Sequence, residues 1–150
     1  MRALIDVIAA ALAATSASAA LVGAWYWWQV QASRAFWILA RTAQAIAIAL
    51  ALAAGVAAAT GDHPDSGLFW VYTLVPVVLS FVAEQLRLAS ASTILDARDI
   101  ASAQEVGELP PAEQDSIVLA IVRREMGVMA LAMVALCFLA LRALGTAAGV

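Results

Sequence analysis

Residues 36–60 read FWILARTAQAIAIALALAAGVAAAT, apolar from end to end, with Arg41 as the only charge and Gly55 as the only helix-weakening residue. A hydrocarbon core of about 30 Å takes roughly 20 apolar residues at 1.5 Å each, and inside lipid only helices and closed barrels satisfy their own backbone. The stretch therefore predicts a transmembrane helix. Working outward, comparable apolar runs recur at about 4–28, 68–83 and 126–144. The chain reads as all-α, an integral membrane four-helix bundle forming a single membrane domain over residues 1–150.

Composition points the same way. The 150 residues are 65% hydrophobic, with a mean hydropathy of +0.92, more apolar surface than a soluble domain of this size can bury. The lipid bilayer is the first expected partner. A net charge of −3 offers no basic stripe for phosphate backbones, so no nucleic acid partner is expected. The sequence Ala17-Ser18-Ala19 matches a signal-cleavage pattern, but apolar character continues through Leu21 and Val22 to Trp25, Tyr26, Trp27 and Trp28. That aromatic cluster reads as the interfacial belt of an uncleaved span.

Several chemistries lack their residues. The single cysteine, Cys137, excludes an intrachain disulfide and the paired-thiol chemistry of four-helix quinone-linked oxidoreductases. The single histidine, His63, excludes a haem held by two histidines of one chain. Beside Asp62 and Asp65 it reads as part of a solvated turn, and no cluster has metal-ligand spacing. Phosphate loops, nucleophile elbows and HExxH are missing. No catalytic residue, cofactor or metal is assigned, and no family resemblance is claimed.

The arginines set the orientation. Arg34 and Arg41 flank the first connection, and Arg87, Arg98, Arg123 and Arg124 lie in or beside the third, whereas the connection around 61–67 carries none. The excess of basic residues marks cytoplasmic flanks. Residues 84–125 are thus expected in the cytoplasm, and both termini outside a plasma membrane. Within 84–125, Gly107, Pro110 and Pro111 gather the breakers at one point. The third span is expected to continue to about Val106, turn at 107–111 and return as a cytoplasmic helical hairpin extending spans 3 and 4. Pro111 suits the first helical position, and Glu113 and Asp115 suit the first turn. A competing layout lays 117–122 on the bilayer surface.

Ionisable groups near the spans frame the functional question. Arg41 and Gln44 share one side of a helix, open to a lipid headgroup, an anionic substrate or Glu84. Across the hairpin, Glu84 and Arg87 are expected close to Arg123, Arg124 and Glu125, as an ion-pair network where helices enter the membrane. Asp6 should pair with Arg2, one turn away. Pro76 should kink its span. Small residues repeat every four positions at Ser16, Ala20 and Ala24 and at Ala51, Gly55 and Ala59, a spacing that lets helices approach closely. These features predict a non-enzymatic accessory or structural subunit that associates with a membrane-protein partner or with itself. The alternative is a small transporter or channel around Arg41, Gln44 and Glu84, and a lipid-acting enzyme ranks third.

Overall fold

The computed structural model describes residues 2–61 and 67–147. Among these, all regular structure is helical: α1 (Arg2–Gln29), α2 (Arg34–Ala59), α3 (Gly67–Asp96), α4 (Ala103–Glu108) and α5 (Pro111–Ala147). The turn holding Asp62, His63 and Asp65 lies outside the described residues. Helices α1, α2, α3 and α5 are each long and apolar enough to cross a bilayer. Even α2, with 26 residues, reaches about 39 Å. The chain is thus a candidate multi-pass membrane protein.

α1 packs between α2 and α5, and α3 closes the circuit against the same two helices. The buried positions alternate in steps of four and three. On α1 this seam runs through Ile5, Ala9, Leu12, Ser16, Ala19 and Gly23, with Ala13 and Ala20 buried beside it; on α2 it runs through Phe36, Ala40, Ala43, Ala47, Leu50, Ala54 and Ala57, with Gln44 buried beside it. α3 continues the pattern with Phe69, Thr73, Pro76, Ser80 and Ala83, and α5 with Met126, Met129, Met133, Leu136, Ala140 and Ala143. Such a mean step of 3.5 residues keeps one seam facing the neighbouring helices. The seam is rich in small side chains, while the bulk points outward: Leu21 is 75% exposed, Leu131 72% and Trp28 81%. Water would penalise that distribution, and lipid does not.

Gly23 marks the closest approach. A Cβ there would lie 2.5 Å from Phe36 Cε2 and 3.1 Å from the Cβ of Ala130, so α1, α2 and α5 meet at one level because this residue has no side chain. The fully buried Phe36 ring occupies the space.

The helix ends follow local chemistry. After α1, the amide of Val30 donates to the Trp27 carbonyl (3.2 Å) and that of Gln31 to Tyr26 (3.0 Å), a Schellman turn that places Val30 at φ 53°. Ser33 then caps α2, its Oγ accepting from the Phe36 amide at 3.3 Å. α3 runs through the buried Pro76 without interruption.

α3 stops at Asp96, short of the expected continuation to about Val106. The cause is a second Schellman turn. The amide of Asp99 donates to Asp96 (3.2 Å) and that of Ile100 to Leu95 (3.1 Å), with Asp99 at φ 55° and Ile100 buried behind it. Aspartate tolerates this left-handed conformation better than most residues. The chain restarts at Ser102, whose Oγ accepts from the Glu105 amide (3.3 Å) while Glu105 Oε2 accepts from the amide of Ala101 (2.8 Å), a variant of the capping box. Pro111 opens α5 as expected, with Glu113 in its first turn.

Residues 117–122 belong to the uninterrupted α5 and do not form a separate surface helix. Ile117 and Ser90 are buried between the α3 and α5 arms, and Arg98 Nη1 donates to Ser116 Oγ at 2.7 Å. Gln114 Nε2 ties the 107–111 turn by donating to the carbonyls of Gly107 (3.2 Å) and Leu109 (2.8 Å).

Candidate functional site

Arg41 on α2 and Arg87 on α3 converge on one carboxylate, that of Glu84. Glu84, on α3, faces Arg41 and Gln44, which lie three residues apart and therefore on one side of α2. Arg41 donates from Nη1 to Glu84 Oε1 (2.7 Å) and from Nη2 to Oε2 (3.1 Å), a two-point grip suited to a planar guanidinium. Gln44 Nε2 donates to Oε1 at 3.1 Å, and Gln44 Oε1 accepts from Arg41 Nη1 at 2.9 Å. One turn further along α3, Arg87 Nε donates to Oε2 at 3.0 Å. Its guanidinium carbon lies 5.4 Å from the ring centroid of Trp37, which adds a cation–π contact.

Both carboxylate oxygens therefore accept two hydrogen bonds each. The Glu84 side chain is 19% exposed and Arg41 50%, so the cluster sits at the edge of the packed interior, with Gln44 as its buried floor. Two cations against one anion leave one net positive charge, which Trp37 partly covers. The arrangement is a clasp between α2 and α3, whose mutual interface is lighter than those of α1 with α2 and with α5 and of α3 with α5.

The second half of the expected network lies elsewhere. Among the described residues, Arg123, Arg124 and Glu125 make no ion pair with Glu84 or Arg87, because those two turn toward α2 rather than across the hairpin to α5. Arg123 instead places its guanidinium carbon 5.5 Å from the Trp27 ring on α1. Arg124 is exposed and Glu125 half-buried. The expected Asp6–Arg2 pair is also missing: Asp6 is half-buried and has no ion-pair partner among the described residues.

Polar side chains deeper in the interior are satisfied by their own helices. Ser16 Oγ donates to the Leu12 carbonyl, Thr73 Oγ1 to Phe69 (2.8 Å) and Ser80 Oγ to Pro76 (2.7 Å), and no buried side-chain polar atom among the described residues lacks a partner. No group of three metal-ligating side chains occurs among them either. Three aromatic partners were not foreseen from the sequence: Trp37 for Arg87, Trp27 for Arg123, and Tyr72, whose ring centroid lies 5.6 Å from Arg142 Cζ. Spacing within one chain segment cannot report pairings between helices.

Compared with protein-family models, with curated proteins and with solved structures, the chain matches none.

Proposed function

We propose that this chain is a non-enzymatic subunit of a membrane assembly. It forms an integral four-helix bundle in the plasma membrane, with both termini outside and residues 84–125 in the cytoplasm, and associates with a membrane-protein partner or a second copy. The saturated Glu84 carboxylate carries this reading. A group that loads and releases a proton, ion or substrate needs a coordination position that opens, whereas Glu84 accepts four hydrogen bonds from three side chains. Its role is to hold α2 against α3.

A surface for association accompanies the clasp. Gly55 and Ala59 face outward on α2, Ala51 is half-buried beside them, and open space lies over Gly55. This small-residue face admits the backbone of another transmembrane helix. Gentle extraction of the tagged protein, native mass determination and identification of co-purifying chains test the proposal. A stoichiometric partner or defined homo-oligomer supports it; a bare monomer from every extraction overturns it. The rival transporter built on Arg41, Gln44 and Glu84 requires that Glu84→Gln abolish flux in reconstituted vesicles while the protein still folds.

A further inference from the structure

The outer wall between α1 and α5 is not uniformly bulky. A cleft of about 210 Å³ opens there, floored by Ala20, Ala24, Gly127 and Ala130 and walled by Trp27, Leu131 and Val134. It exceeds the roughly 150 Å³ that accommodates a benzene ring in an apolar protein cavity. The lining is apolar throughout, and Leu131 and Val134 are exposed on the same face. Gly127 shapes the upper end: a Cβ there would lie 2.9 Å from Trp27 Nε1, so the missing side chain lets the indole lie against α5.

Positive charge stands directly above this cleft. On α5, Arg123 precedes Gly127 by four residues, and Arg124 precedes it by three, so both share the cleft's side of the helix. Both are exposed and neither has an ion-pair partner among the described residues, while Arg123 lies over the Trp27 ring at 5.5 Å. Glu125 falls on the stripe of buried Met129 and Ala132, away from the cleft. Trp27 belongs to the aromatic cluster 25–28, and such clusters lie at headgroup level.

We infer that the α1–α5 cleft binds one anionic phospholipid, with an acyl chain over Ala20, Ala24, Gly127 and Ala130 and the phosphodiester against Arg123 and Arg124. An apolar recess accepts an acyl chain of any lipid. The unpaired arginine pair at its mouth is what selects a net negative headgroup over a zwitterionic one. The site is separate from the Glu84 clasp and requires only that α1 and α5 lie in a bilayer.

The test is native mass spectrometry of the full-length protein, titrated with phosphatidylglycerol or phosphatidylcholine from nanodiscs. The expected result is a single phosphatidylglycerol adduct per chain that survives where phosphatidylcholine is lost. Arg123→Gln should weaken it roughly fivefold, and Arg123→Gln with Arg124→Gln about thirty-fold. Ala24→Leu fills the cleft from an exposed position and should remove the adduct with both arginines intact, whereas Arg98→Gln, in the α3–α4 connection, should leave it unchanged. Equal retention of the two lipids overturns the inference. So does an Arg98→Gln effect as large as that at Arg123, or a second protein copy taking the cleft in place of lipid.

Discussion

Replacing Glu84 by glutamine removes one charge and almost no volume, which isolates the electrostatics of the clasp. The amide keeps one acceptor oxygen and turns the other into a donor. If the oxygen stays beside Arg41 Nη1 and Gln44, the bonds from Arg41 Nη2 (3.1 Å) and Arg87 Nε (3.0 Å) are lost, and two cationic donors face the donor NH2 of an amide. Interhelical hydrogen bonds in membranes average about 0.6 kcal/mol and reach about 1.7. Exposed ion pairs contribute about 0.2–1 kcal/mol, and breaking a buried pair costs about 3–5. With Arg41 50% exposed and Glu84 19%, the clasp falls between those limits. Glu84→Gln should destabilise the fold by about 1–3 kcal/mol. In a double-mutant cycle with Arg41→Gln, the coupling should be about 1–2 kcal/mol. Equilibrium unfolding in mixed micelles, followed by helicity, gives all four corners of the cycle. Coupling below about 0.3 kcal/mol would refute the clasp as a structural tether, and the supporting argument for a non-transporting role would fall with it.

Other substitutions probe the remaining features. Gly23→Ala should destabilise by about 1–3 kcal/mol in the same unfolding assay, because its Cβ meets the buried Phe36 ring; a neutral result would mean that α1 and α2 slide apart freely. Gly55→Leu should leave unfolding nearly unchanged, since nothing lies within 4 Å of the added Cβ, yet shift the native mass toward monomer if this face meets another helix. Val30→Gly should stabilise by about 0.5–1 kcal/mol, relieving a β-branched residue held at φ 53°, and a lower melting temperature would contradict that account.

The helices were legible because any bilayer-spanning segment must combine length with apolarity, and the apolar runs at 4–28, 36–60, 68–83 and 126–144 coincide with the four long helices, the second overrunning α2 only by its cap Thr60. Which face of each helix turns inward was not. In water, a hydrophobic stripe identifies the core; here every side is apolar, and the discriminating property is size. The small-residue repeat at Ala51, Gly55 and Ala59 points mostly outward, whereas the buried seam of the same helix runs through Ala43, Ala47, Leu50, Ala54 and Ala57. Both are alanine-rich, so spacing alone does not choose between them. The Glu84 site is legible in part: Arg41 and Gln44 share a face by helical period, and a carboxylate such as Glu84 is a natural partner for them. Arg87 over Trp37 depends on how α2 and α3 are rotated, which one segment does not encode.

The α3–α5 connection carries a different lesson about local signals. Gly107, Pro110 and Pro111 drew the expected turn to one place, yet the helix had already ended at Asp96. Ser102-Ala103-Gln104-Glu105 has the spacing of a capping box and announces a new helix start upstream of those breakers. A helix start at Ser102 requires that α3 end before it, and Asp99 is the residue there that best accepts a left-handed conformation. The break shortens the α3 arm while α5 continues for 37 residues, and the connection is tied back to α5 through Arg98 and Gln114 rather than extending freely. A connection pinned to α5 by the Arg98–Ser116 hydrogen bond, beside a clasped helix pair, would give a subunit a defined surface to present, and this links the architecture of 84–125 to the proposed role in assembly.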